Sequence, residues 1–124
     1  MHDHVTPQTI SDLLDRFYAK ARAHERLGPV FNAAVDDWPE HMATLNAFWG
    51  SIMLASRQYK GNPLAMHRAL PLTPDLFGDW LALWRQTTGE MFTPELAVLF
   101  VDKAERIAES LKAGLFFNPA ALRR

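Results

Sequence analysis

The sequence predicts an all-α protein. Five of its eight prolines follow a residue that suits the position just before a helix. After these prolines, apolar residues recur at spacings of three and four, as they do on one face of a helix. No convincing run of alternating apolar and polar residues and no Asn-Gly hairpin indicates a strand. The sequence therefore predicts five helices.

The prolines mark where these helices are expected to begin. Proline suits the first helical position because its missing N–H would have no partner inside the helix, and a preceding Thr or Asn can accept bonds from the amides of the first turn. The five dipeptides are Thr6-Pro7, Trp38-Pro39, Asn62-Pro63, Thr73-Pro74 and Thr93-Pro94.

The first two predicted helices each carry an apolar stripe. The first runs from about Pro7 to Ala23, and Leu27-Gly28-Pro29 is expected to end it. The second runs from about Pro39 to Ala55. The stripes consist of Ile10, Leu13, Leu14, Phe17, Tyr18 and Ala21 in the first helix, and of His41, Leu45, Phe48 and Ile52 in the second.

The remaining three predicted helices differ in length. The third is the short segment from Pro63 to Leu70, the fourth runs from Pro74 to about Met91, and the fifth runs from Pro94 to about Leu115. The fourth carries Leu76, Trp80, Leu83, Trp84 and Thr87 in register; the fifth carries Leu96, Leu99, Phe100, Ile107 and Leu111.

Length and composition narrow the class of protein. A chain of 124 residues with 48% hydrophobic residues predicts one domain, residues 1–124, with loosely ordered tails at 1–6 and 117–124. A net charge of −1 gives no sign of a nucleic-acid or anionic-membrane partner. There is no Cys for a disulfide or thiolate site, no apolar run near the roughly 20 residues that span a bilayer, and no signal-peptide pattern. A cytoplasmic location is expected.

Familiar catalytic motifs are missing, so the histidines carry most of the information. The sequence contains no GxSxG, P-loop, GxGxxG or HExxH motif. His2 and His4 stand in the expected N-terminal tail and His24 follows a helix end, so solvated surface positions are predicted for these three. His41 and His67 differ, because both stand among apolar residues.

His41 and His67 are candidate ligands of a metal-centred cofactor. His67 lies on the short segment that prolines bracket, and a short stiff element can hold an imidazole in a set direction. His41 lies in the first turn of its helix, where the positive end of the helix dipole favours the neutral ring. Taken alone, each histidine is better explained as a core residue bonded to the backbone. Together with an excess of aromatic residues, they suggest a flat apolar guest with a metal at its centre.

Several segments in order along the chain resemble the group III truncated haemoglobins, small bacterial globins with helices packed two over two around haem. The resemblance runs from about Ile10 to about Leu111 without a detectable insertion. The segments are FYAKAR, LGPVFN, WPEH, NAFW, YKGNPLAMH, LPLTP and DWLALW. In combination they are specific, although no single segment would be. The resemblance implies a globin-like fold and haem b as the cofactor.

The resemblance also implies roles for individual residues. It makes His67 the proximal ligand of the haem iron. On the opposite face, Tyr18, His41 and Trp80 would approach a bound ligand, and Leu45 would cover the iron. Further candidates for haem contact are Phe31 as a wedge, Phe48, Met66 beside His67, and Arg57, Tyr59, Lys60 and Arg68 near the haem carboxylates.

The implied function is the binding of O₂, NO, CO or another small diatomic ligand. Donors around the bound ligand favour slow O₂ release, which suits oxidation of NO to nitrate or peroxide handling more than transport. The chain has no flavin or nicotinamide motif, so a separate reductase would be needed. Two alternatives remain open at this stage: a haem-based sensor or carrier without turnover, and a cofactor-free helical interaction module.

Overall fold

The computed structural model describes residues 1–55 and 73–116, and within these ranges it contains five α-helices. The predicted all-α fold is confirmed, since the described ranges hold no strand, only an isolated bridge between His2 and Phe92. No helix in these ranges is long and apolar enough to cross a membrane. The helices are α1 Pro7–Ala23, α2 Leu27–Ala34, α3 Trp38–Leu54, α4 Pro74–Met91 and α5 Pro94–Phe116.

Four of the five predicted helices lie within the described ranges, and their bounds agree closely with the prediction. Helix α1 begins after a Thr6 capping box formed with Thr9. Helix α3 begins one residue earlier than predicted, at Trp38, because the Asp37 carboxylate accepts the Glu40 amide and so caps the helix. The predicted helix at 63–70 and the expected tail at 117–124 lie outside the described residues.

The sequence-based prediction missed α2. Leu27-Gly28-Pro29 does not end the first helix. That helix ends at Ala23, and Leu27 begins a new eight-residue helix. The prediction failed because α2 has no Ser, Thr, Asp or Asn at its N-cap, where the Arg26 side chain makes no capping hydrogen bond.

His24 supplies the missing cap and is not simply a solvated surface residue. Its Nδ1 accepts the backbone N–H groups of Arg26 at 3.0 Å and Leu27 at 3.1 Å. The imidazole therefore satisfies amides that would otherwise lack partners at the start of α2. The solvated surface position predicted for His24 is corrected accordingly, because its ring lies half-buried in the turn between two helices.

Helix α1 is the central element, packing against α2, α3 and α4, while α4 packs against α5. The core between α1, α4 and α5 is closely packed, and Phe17, Trp84 and Phe100 are almost completely buried. The Trp84 indole donates to the Phe100 carbonyl at 3.2 Å, so its polar atom is satisfied inside the core. This core forms the support on which the α1 and α4 side chains of the site are held.

The first residues of the chain contact the same core. The His2 amide donates to the Met91 carbonyl at 2.8 Å, and the Thr93 amide donates to the His2 carbonyl at 3.0 Å. The segment expected to be a loose tail is thus attached by main-chain hydrogen bonds at His2, which close the junction between α4 and α5.

Candidate functional site

Three polar side chains from three helices converge at one end of the core. Tyr18 on α1, His41 on α3 and Trp80 on α4 are the residues that the sequence predicted to share a distal pocket. The Tyr18 and His41 rings lie 5.9 Å apart and perpendicular. The Trp80 side chain is hydrogen-bonded to the Tyr18 phenol. The structure therefore brings all three together.

The Tyr18 phenol is held as a neutral hydrogen-bond donor. Burial raises its pKa well above the ordinary value, and the hydrogen bond from Trp80 offsets this only in part. Because an indole N–H can only donate, the phenol oxygen accepts this bond and its O–H remains the donor of the pair. Trp80 thus orients a protonated hydroxyl that is almost completely shielded from bulk water.

Two further aromatic residues enclose Tyr18. Phe31, from α2, meets the Tyr18 ring edge-on at a centroid distance of 5.5 Å, which places this predicted wedge beside the pocket. Trp38, from the first turn of α3, lies 6.0 Å from Tyr18 and 5.4 Å from His41. Trp38 was not predicted as a site residue. Its position three residues before His41, on the same helical face, is the signal that could have identified it.

The α3 face that bears His41 is only partly covered. Leu45, Phe48 and Ile52 on this face are half-buried, whereas Trp49, which points into the core, is 3% exposed. The His41 Nε2 atom is shielded from solvent although the residue as a whole is half-buried. A row of apolar side chains with polar atoms at one end is a surface that suits a flat apolar group bearing a polar centre.

The remaining predicted site residues lie between positions 56 and 72. The proximal candidate His67 and its neighbour Met66 lie outside the described residues. The same holds for the four rim candidates, Arg57, Tyr59, Lys60 and Arg68. Their roles stay predictions.

Comparison with known proteins identifies the family. No family model matches the sequence. Over 117 residues, however, the chain is 31% identical to the group 3 truncated hemoglobin ctb of Campylobacter jejuni, with coverage of 90% of this chain and 92% of that protein. The chain belongs to the group III truncated haemoglobins.

The structure of this truncated haemoglobin agrees with that assignment. It is similar to the crystal structure of the group III truncated hemoglobin from Campylobacter jejuni, with a TM-score of 0.87 and 30% sequence identity. The superposition covers 94% of this chain and 95% of the other. The predicted globin-like fold class is therefore confirmed.

Membership of the globin family implies haem as the cofactor, and the described residues fit this group. The half-buried face of Leu45, Phe48 and Ile52 offers apolar contact to a porphyrin. The phenol of Tyr18 lies at the His41 end of that face. Haem-based binding of a diatomic ligand such as O₂ follows from the family assignment.

Proposed function

We propose that this truncated haemoglobin binds haem b through His67 and holds a diatomic ligand, O₂, NO or CO, among Tyr18, His41 and Trp80. The observation that carries the proposal is the buried Tyr18 phenol, which Trp80 orients and beside which His41 stands. A buried donor is costly unless it has a partner, and a bound ligand would provide one. When bound, the haem supplies the iron to which the ligand attaches and its one-electron redox chemistry.

The side chains of the pocket have distinct tasks. Tyr18 donates a hydrogen bond to the ligand, and Trp80 fixes the direction of that hydroxyl through its own N–H. Leu45, one turn beyond His41, and Phe31, beside Tyr18, exclude water and so strengthen each polar contact. A hydrogen bond is worth about 1 kcal/mol in such a setting, and about 1.4 kcal/mol changes an equilibrium constant tenfold. The pocket should therefore release O₂ slowly.

We further propose oxidation of NO to nitrate as the reaction, since slow O₂ release favours chemistry over transport. Conversion of one NO and one O₂ to one nitrate anion consumes one electron. A separate reductase must supply it, because the sequence has no flavin or nicotinamide motif. Peroxide handling would draw on the same donors and the same kind of electron source.

Replacement of His67 tests the haem proposal. The purified wild-type protein should show an intense Soret band, and the His67→Ala variant should lose that band or show a changed axial-ligand signature. His4→Ala is the matched control, because the His4 side chain is 82% exposed in the N-terminal segment. A Soret band and ligand signature in His67→Ala identical to those of the wild type would refute His67 as the proximal ligand.

Replacement of Tyr18 and Trp80 tests the role of the polar pocket. Tyr18→Phe keeps the ring and removes the donor, so O₂ dissociation should accelerate about fivefold, and Trp80→Leu should accelerate it as well. Stopped-flow O₂ dissociation measures both rates. NO consumption by the oxygenated protein tests the reaction, and a rate no better than that of free haem would leave a carrier or sensor as the function.

A further inference from the structure

We infer that Arg22 and Asn32 are positioning residues that hold His41 against Tyr18 by fixing the indole of Trp38. Only the expected effect on ligand binding rests on the proposed function. The contacts themselves lie entirely within the described residues. They join α1, α2 and α3 on the outer side of the pocket, where a cleft opens to solvent.

The Arg22 side chain is fastened at two points. Its guanidinium lies over the Trp38 ring, with Cζ 4.2 Å from the ring centroid. Its Nε–H donates to the Asn32 side-chain oxygen at 3.1 Å, while the Asn32 amide group donates back to the Arg22 carbonyl at 3.1 Å. This reciprocal pair fixes an otherwise flexible side chain, so the cation stays over the indole rather than moving in solvent.

Trp38 transmits this restraint to the site. Its ring meets the His41 imidazole at 5.4 Å with perpendicular planes, and it also contacts Tyr18 at 6.0 Å. Tyr18, Trp38 and His41 thus form a closed triangle of rings. Displacement of His41 away from Tyr18 on this side requires Trp38 to move, and Trp38 cannot move without leaving Arg22.

The contact between Arg22 and Trp38 lies at the surface of the protein, not in its core. Arg22, Asn32 and Trp38 line a solvent-facing cleft of about 590 Å³ together with Ala19, Ala23 and Val35. Arg22 and Asn32 are exposed and Trp38 is half-buried. Empty volume beside the indole gives Trp38 room to move once the guanidinium is removed. A cation–π contact at such a site changes the ratio of two conformations by about 2- to 5-fold.

The test compares Arg22→Met with Arg22→Lys, Asn32→Ala and a control, Arg16→Met. Arg16 lies on the same helix, is similarly exposed, and faces Glu90 at 3.9 Å instead of Trp38. Two quantities are measured: the NMR signals of the His41 ring, assigned with His41→Gln, and the rate of CO association after flash photolysis of the haem-loaded protein. The signals are recorded with and without haem, because the restraint consists only of the chain's own groups.

Arg22→Met should shift the His41 ring signals and raise the CO association rate about 2- to 5-fold, and Asn32→Ala should act in the same direction. Arg22→Lys, which keeps a cation for the indole, should recover much of the wild-type behaviour, and Arg16→Met should match the wild type. His41 signals that are the same in Arg22→Met and Arg16→Met would overturn the inference. Failure of the wild type to bind haem would instead refute the proposed function and leave the His41 signals as a decisive test.

Discussion

At the scale of single residues, the site depends on one phenol kept neutral by its surroundings. Burial is the main cause of the raised pKa of Tyr18, and the hydrogen bond from Trp80 opposes it. The same indole stacks on Trp84 at a centroid distance of 6.0 Å, so the donor that orients Tyr18 is itself anchored in the core. Trp80 therefore links the rigid interior to the polar end of the pocket.

The raised pKa of Tyr18 has a consequence for stability at alkaline pH. An unfolded tyrosine ionises near pH 10. Above that pH the unfolded state binds fewer protons than the folded state, so the free energy of unfolding falls as pH rises. The loss is at most about 1.4 kcal/mol per pH unit. Chemical denaturation between pH 9 and about 12 should show a steeper decline for the wild type than for Tyr18→Phe.

The second tyrosine supplies the control for this titration. The chain contains only Tyr18 and Tyr59, so Tyr59→Phe keeps the phenol of interest as the sole tyrosine. Tyr59→Phe should retain the steep alkaline decline, and its ultraviolet titration should show no phenolate until the protein unfolds. Parallel stability curves for the wild type and Tyr18→Phe would contradict the raised pKa.

At the scale of elements, the junction of α1 and α2 brings the two backbones unusually close. A Cβ at Gly28 would lie 2.6 Å from the Arg22 carbonyl oxygen and 3.2 Å from its carbon, both main-chain atoms that cannot move aside alone. Gly28 is therefore required by this close approach. The junction also positions Arg22 at the end of α1 and Phe31 on α2, so its geometry bears on the pocket.

Alanine substitution at Gly28 and at Gly78 should change the free energy of unfolding in opposite directions. Gly28→Ala should lower the free energy of unfolding by about 1–3 kcal/mol, because the new methyl group forces the two helices apart. A Cβ at Gly78, in the interior of α4, would meet nothing within 4 Å. Gly78→Ala should therefore raise the free energy of unfolding by about 0.5–1 kcal/mol, because alanine favours the helix more than glycine does. Urea unfolding of both variants measures the two changes. A Gly28→Ala variant as stable as Gly78→Ala would show that the junction relaxes without cost.

The same junction shows what the sequence could and could not predict. The starts of α1 and α4 were predicted because Thr-Pro dipeptides give a local signal. Helix α2 has eight residues, too few for an amphipathic stripe to stand out, and its cap is an imidazole from the preceding turn. Periodicity also placed Tyr18, His41 and Trp80 on apolar faces, but their convergence was predicted only through the family resemblance, since a face says nothing about which helix it meets.

Ion pairs also connect α2 to α4. Arg26, at the start of α2, pairs with Asp75 and with Asp79 at 2.9 Å, both on the first turns of α4. A hydrogen bond from the Thr73 hydroxyl, together with the Arg26 guanidinium, lowers the pKa of the Asp75 carboxyl. Asp79 precedes Trp80, so this contact joins the α2 junction to the helix segment that orients the Tyr18 hydroxyl.

At the scale of the whole molecule, side chains are buried more completely between α1, α4 and α5 than on the inward face of α3. Helices α1, α4 and α5 share a core of buried side chains, and the main chain at His2 bonds to both sides of the α4–α5 junction. Helix α3 contributes a single residue, Trp49, that is almost completely buried, while the rest of its inward face is half-buried. Among the described helices, α3, whose face suits haem, is thus the one that buries the smallest share of its own residues.

Removal of haem should consequently weaken the protein unevenly. Any ligand that binds only the folded state stabilises it, by about 2.7 kcal/mol when its concentration is a hundred times its dissociation constant. Because α3 has few buried contacts of its own, most of this stabilisation should appear there, whereas the α1–α4–α5 core should persist without haem. Hydrogen exchange monitored by mass spectrometry, with and without haem, should show amide protection falling in residues 38–54 far more than in residues 94–116. An equal fall in both segments would mean that haem holds the whole fold together, and no fall in 38–54 would mean that α3 does not form the haem contact.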